Sequence, residues 1–253
     1  DSRAVKAYLK QNYVDEVMSL DALFEAPQLL LQRERMKGRP KHVIVVTTTG
    51  GGGAMLVDQL SVRGVLIGEL NKSVREYFQK KEIPCGTGKL VDVTLAGAQY
   101  HIMKEVISKL MNEPSTGALA IVIGSSAQFN PDLAVKPIID AVKENVGGAP
   151  LIAFPLPSAP KSIAMLKSAG VPVFGGLESC AESIALFLSS SGSCDKISAN
   201  DDLCVGAVED AIKNWDLSTR GEVLDEVSST KIFETLGLRC PKQIFIPDFD
   251  EEN

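Results

Sequence analysis

Residues 43–64 read Val-Ile-Val-Val-Thr-Thr-Thr-Gly-Gly-Gly-Gly-Ala-Met-Leu-Val-Asp-Gln-Leu-Ser-Val-Arg-Gly, and this stretch decides the fold. The continuous β-branched run from Val43 has the composition of a strand covered on both faces. Beyond the four glycines, Leu56 and Leu60 lie four residues apart, so one face of a helix points back at that strand. Residues without Cβ at the junction let an anion reach the unpaired amides of the first helical turn, at the positive end of the helix dipole. Two readings of Gly50, Gly51, Gly52 and Gly53 follow: a phosphate site, with Ala54 continuing it, or a tight strand-to-helix turn. Familiar phosphate loops do not fit. Counted from Gly50 or Gly51, the third glycine of a G-x-G-x-x-G fingerprint falls on Met55 or Leu56. Gly88-Lys89 is followed by Leu90, so no G-x-x-x-x-G-K-[ST] occurs.

Outward from this unit, strand and helix patterns alternate. Val65–Leu70 reads as a strand, then comes a helix through Val74 and Phe78, then a strand at Val91-Asp92-Val93-Thr94. A helix with Ile102, Val106 and Leu110 on one face precedes the strand Ala118–Ile123. A helix over Asp132–Asn145, a strand at Leu151–Phe154, a helix over Ala159–Ser168, a short strand at Val171–Phe174 and a helix through Ala181, Ile184 and Leu188 complete the set. Repeated units of this kind predict an α/β domain over about 40–190, a parallel sheet between helices with right-handed crossovers. Such sheets bind ligands beyond the carboxyl ends of their strands. Gly50–Gly53 and Gly124-Ser125-Ser126 both lie at such ends.

The flanks differ. Residues 1–39 predict a short helix, an edge strand at Val14–Met18 and a helix after Ser19, with Asp21 in its first turn and Pro27 as a point of kinking. Residues 191–227 read as a linker and a helix over Asp202–Asn214. Residues 228–253 hold a helix ending at Gly237, a strand at Gln243–Ile246 and an acidic end, too little to fold alone. The 253-residue chain is 45% hydrophobic and 23% charged, enough for one core and an appendage. Its net charge of -6 and lack of a basic stripe argue against nucleic acid, and no apolar run is long enough to span a bilayer. Opening on Asp1 instead of Met, the chain reads as a piece of a longer one. Cys85, Cys180, Cys194, Cys204 and Cys240 form no C-x-x-C, which points away from disulfides and zinc and toward a reducing, cytoplasmic setting.

Chemistry-bearing residues are few. His42, at the amino end of the first strand, reads as a surface residue, His101 as solvent-facing, and Asp58 as facing its own turn or solvent; two histidines make a His-based metal cluster improbable. Cys180 falls beside an apolar helix face and reads as core. Ser125 and Ser126 offer hydroxyls and amides to an anion, or else local capping before the helix that Pro131 opens. Asp92 reads equally as a ligand and as a structural acceptor for nearby backbone donors. No catalytic residue and no metal ligand is assigned.

Taken in order, Thr47-Thr48-Thr49-Gly50-Gly51-Gly52-Gly53, Val91-Asp92-Val93-Thr94-Leu95-Ala96-Gly97-Ala98 and the strand closing in Gly-Ser-Ser resemble the nucleoside-diphosphate-forming acyl-CoA synthetases, relatives of succinyl-CoA synthetase. That family's corresponding stretches are similar to Thr-Asn-x-Gly-Gly-x-Gly and Asn-Pro-x-Asp-Leu; here Thr replaces Asn, and Lys89-Leu90 stands where Asn-Pro is usual. The resemblance implies a flavodoxin-like CoA-ligase domain at 40–190, preceded at 1–39 by the tail of another ligase domain. Ser228–Pro247, with Leu236-Gly237-Leu238-Arg239-Cys240-Pro241, resembles the start of an ATP-grasp domain. It further implies acyl-CoA formation from carboxylate, CoA and a nucleoside triphosphate with Mg, through a phosphohistidine stabilised by paired helix N-termini, one being Gly50–Gly53 with the helix after it. The Ser-His-Thr-Gly-like carrier motif is absent, so neither histidine inherits that role. Implied partners are neighbouring ligase and ATP-grasp domains, with an oligomer expected, and this piece alone is expected to be inactive and to bind no cofactor by itself. A ligand-sensing module, as in some protein acetyltransferases, is the rival reading. A free-standing flavin or receiver-type protein is weakened by scarce loop aromatics and a missing acidic cluster.

Overall fold

The computed structural model describes residues 2–12, 14–86, 88–94 and 99–189, with Thr230, Lys231, Phe233, Glu234, Arg239, Cys240 and Lys242 beyond them. The chain divides into two compact units, 1–191 and 192–253. The helix expected over Asp202–Asn214 and the strand at Gln243–Ile246 lie outside the described residues; of the helix expected across Ser228–Leu236, Thr230, Lys231, Phe233 and Glu234 are helical.

Strand β1 (Val43–Thr47) is buried along its whole length, as its β-branched composition requires. Its neighbours are β2 (Leu90–Asp92) on one side and β3 (Ala118–Ile123) on the other, with β4 (Leu151–Pro155) beyond β3, all parallel in the order β2-β1-β3-β4. Alternate residues feed two cores. Ile44, Val46, Leu119, Ile121 and Ile123 pack with Val74 and Phe78 of α4 (Lys72–Lys80), Met103, Val106, Ile107 and Leu110 of α5 (Tyr100–Asn112), and Val135 and Ile138 of α7 (Pro131–Glu144). Val43, Val45, Ala120, Val122 and Phe154 pack with Leu56 and Leu60 of α3 (Gly50–Val62) and Ile184 and Phe187 of α9 (Leu177–Ser189). The sheet thus lies between two helical layers. Helix α8 (Pro160–Ser168) joins the first core through Leu166, and α2 (Leu20–Leu30) joins the second through Leu29. Helix α1 (Ser2–Gln11) precedes α2, and α6 (Ser126–Phe129) is a single turn after β3.

Four expected strands are shorter or missing; Val91–Thr94 is confined to β2 at Leu90–Asp92. Val65–Leu70 reduces to one bridge, Ile67 with Val43, because β2 takes the rest of that edge of β1 from Val45 onward. Val171–Phe174 is likewise one bridge, Val173 with Ala153. There the Gln28 side-chain amide of α2 donates to the Val173 carbonyl at 2.9 Å and accepts from its amide at 3.1 Å, closing the edge as another strand would. Val14–Met18 is not a strand. With that edge taken, it is held by side chains instead: Asp15 pairs with Arg33 at 2.6 Å, and Glu182 accepts from the Met18 amide and the Ser19 hydroxyl. Helix α2 runs through Pro27 as one element, and the apolar face of α5 is centred on Met103, Val106 and Leu110, with Ile102 at its margin.

At the amino edge of the sheet His42 is half-buried, not a surface residue. A Cβ on Gly68 would fall 2.4 Å from the His42 ring, and the Gly117 amide donates to His42 Nε2 at 3.4 Å. Burial lowers the His42 pKa, partly opposed by a hydrogen bond to the Ser115 backbone. A native pKa below the unfolded value of about 6.5 means that stability is complete above that pH and is lost as pH falls through the native pKa, since the unfolded chain takes the proton first. Urea unfolding at pH 7.5 and 5.5 checks this: His42→Gln removes part of the acid-side loss. Gly117 has no room at all, because a Cβ there would lie 2.1 Å from the Pro40 carbonyl and 2.3 Å from that of His42. Gly117→Ala is expected to cost about 3 kcal/mol in the same assay.

Candidate functional site

The turn between β1 and α3 is built by threonines. The buried Thr47 hydroxyl accepts from the Thr49 amide at 2.9 Å and donates to the Thr49 carbonyl at 2.7 Å. The Thr48 amide bonds the Val122 carbonyl at 3.0 Å, and the Thr48 hydroxyl accepts from the Gly124 amide at 2.9 Å. Thr49 then takes the N-cap position in extended conformation, with no hydrogen bond from its side chain to the helix. The first intrahelical bond runs from Gly53 to Thr49 at 2.9 Å. The amides of Gly50, Gly51 and Gly52 therefore lack intrahelical acceptors, as first-turn amides must.

The four glycines do different jobs. A Cβ on Gly52 would meet Thr49 Cγ2 at 2.8 Å and Leu156 at 3.1 Å, and one on Gly53 would meet Thr47 Cγ2 at 2.8 Å and Leu90 at 2.9 Å. These two are buried and let α3 sit directly on β1 and its neighbours. Gly51 is exposed, with nothing within 4 Å of its Cβ position, and Ala54 is exposed one turn on. Gly50 faces Asp92, whose Oδ2 lies 3.1 Å from where its Cβ would be.

Ser125 and Ser126 are exposed at the end of β3. Their loop abuts the glycine turn, since a Cβ on Gly124 would come within 3.1 Å of Thr49 Cβ. Capping before Pro131 falls to Asn130, whose Oδ1 accepts from the Leu133 amide at 3.3 Å, so the serines are not spent on that helix. The structure thus sets Gly124 against Thr48 and Thr49, so that the glycine turn and the Gly-Ser-Ser end are neighbours at the carboxyl edge, between the two strands where the order of the sheet reverses. Asp92 Oδ1 accepts from the Thr94 amide at 2.9 Å and from the Thr94 hydroxyl, a structural role, while its other oxygen borders the first turn of α3. That adjacency escapes the sequence because it depends on pairing Thr47 with Asp92 across the sheet.

Other candidates fall away. His101 and Asp58 are exposed. Burial, with Glu25 nearby, pushes the Cys180 thiol far above its usual range, which removes it as a nucleophile. Among the described residues no group of three or more His, Cys, Asp or Glu could hold a metal ion, and no helix is long and apolar enough to cross a membrane.

No protein-family model and no curated protein sequence matches the chain. Solved structures do. The chain is similar to PH0766 from Pyrococcus horikoshii OT3, with a TM-score of 0.60 at 21% identity, over 74% of this chain and 43% of that one. It is also similar to the dinucleotide forming acetyl-coenzyme A synthetase 1 of Ca. Korarchaeum cryptofilum. The apo form gives a TM-score of 0.60 and the complex with phosphate and ADP 0.61, both at 18% identity, covering 74% of this chain and 41% and 40% of those. The chain shares its fold with part of each of these structures. It spans about two fifths of their length, and the parallel α/β sheet expected from the sequence is the element in common.

An N-cap without a side-chain bond is improvable. Thr49→Asp is expected to raise stability by about 1 kcal/mol in urea unfolding, because a carboxylate there accepts from first-turn amides and complements the dipole.

Proposed function

We propose that this chain is a CoA-ligase domain of an acyl-CoA synthetase that forms a nucleoside diphosphate, and that its glycine turn stabilises a phosphoryl group in transit. The observation that carries the reading is the open first turn of α3, held at the carboxyl edge of the sheet beside Ser125 and Ser126. Amides of Gly50, Gly51 and Gly52 and the positive end of a thirteen-residue helix form a preorganised electrostatic site for negative charge. The resemblance of the Thr-rich glycine turn to that family, and the shared fold, support the assignment. Acyl transfer, the phosphohistidine and the sites for CoA, ATP and Mg belong on this reading to neighbouring ligase and ATP-grasp domains or subunits.

Phosphate titrated into the labelled chain should shift amide resonances at residues 49–56 and 124–126. Thr49→Asp should abolish those shifts while leaving the protein at least as stable, because its carboxylate occupies the same amides. Shifts confined to other residues would refute the site. Within a full-length synthetase, the same substitution should slow phosphohistidine formation by about two to three orders of magnitude. The chain by itself should retain no acid-labile phosphate after incubation with ATP.

A further inference from the structure

A carboxylate stands beside the open amides of α3. Asp92 ends β2, and its pairing with Thr47 carries it to the first turn of that helix, where its Oδ2 lies 3.1 Å from the Cβ position of Gly50. Its two oxygens are unequal. Oδ1 accepts from the Thr94 amide at 2.9 Å and from the Thr94 hydroxyl, which holds the carboxylate in place. Among the described residues Thr94 alone bonds this side chain, so Oδ2 is left with its acceptor capacity unused, on a residue that is only half-buried. Glycine at position 50 leaves that oxygen uncovered, for a side chain there would stand against it.

Donors and an acceptor side by side discriminate between anions. The amides of Gly50, Gly51 and Gly52 and the helix dipole attract any oxyanion, and by themselves favour the more highly charged one. A carboxylate oxygen opposes this. It repels an anion whose oxygens are all unprotonated, yet it accepts a charge-assisted hydrogen bond from one that carries an O–H. Sulfate has no proton to give near neutral pH. A phosphate monoester loses its second proton at about pH 6, whereas free phosphate keeps one far into the alkaline range.

We propose that Asp92 is the selectivity determinant of the glycine turn: its Oδ2 accepts the P–OH of hydrogen phosphate, so that the turn takes free inorganic phosphate in preference to sulfate and to dianionic phosphate esters. This rests on the reading of the turn as a phosphoryl site and adds the species it admits. The charged oxygens meet the amides, and the protonated one meets Asp92. Thr94 is a positioning residue, because its two bonds to Oδ1 keep Oδ2 toward Gly50.

Phosphate, sulfate and methyl phosphate titrated separately into the labelled chain at pH 8 and constant ionic strength read the selectivity from the amides of residues 49–56. Phosphate should bind about tenfold or more tightly than either of the others, the worth of a hydrogen bond to a charged group. Asp92→Asn keeps an oxygen for Thr94 and turns an N–H donor toward the helix, so the preference should disappear while the amide spectrum and the urea midpoint show the fold retained. The comparison in the unaltered chain stands whether or not the variant folds. Equal dissociation constants for phosphate and sulfate there, methyl phosphate binding as tightly as phosphate, or a preference unchanged by Asp92→Asn would each overturn the role of Asp92 and leave the phosphoryl site standing. No shift at residues 49–56 with any of the three anions would overturn both.

Discussion

The contact on which the rest depends is the seating of α3 on β1 without side chains in between. Gly52 and Gly53 leave no room for a Cβ against Thr49, Leu156, Thr47 and Leu90, so the helix axis starts directly behind the strand that feeds it. That closeness fixes where Leu56 and Leu60 enter the core and where the first-turn amides emerge. The threonines before the glycines make the turn rigid. Thr47 bonds within its own turn, Thr48 bonds both the carbonyl and the amide groups offered by β3, and Thr49 is left at the N-cap.

The same economy governs the edges of the sheet. One flank of β1 is shared between β2 and the single bridge at Ile67, and the outer edge of β4 is closed by Val173 and the Gln28 amide. At the amino edge, Gly117 and Gly68 admit Pro40 and His42 at distances no side chain would allow. Glycine therefore serves close packing at both ends of β1, and exposure of an amide only at the carboxyl end.

How much was legible follows from what each signal measures. Periodicity and β-branched runs located β1, β3, β4 and the helices around them, because those segments bury whole faces and the pattern is strong. Val65–Leu70 and Val171–Phe174 carry the same pattern, yet pairing is decided by which segment wins the edge, a property of the assembled sheet. His42 failed for a similar reason: the two glycines that enclose it, Gly68 and Gly117, are remote in sequence. At the site, the glycine turn and the Gly-Ser-Ser end were visible as sequence. Their meeting, the division of labour among the four glycines and the approach of Asp92 to Gly50 needed the strand order.

The central claim is that Gly52 and Gly53 seat the helix so that the amides of Gly50, Gly51 and Gly52 stay open to an anion. A crystal structure of the chain grown with sulfate tests it most directly. A sulfate is expected with oxygens about 2.9 Å from those amides, on the side where Ser125 and Ser126 face solvent. Those three amides bonded instead to the chain itself, with sulfate only at surface lysines and arginines, would contradict it.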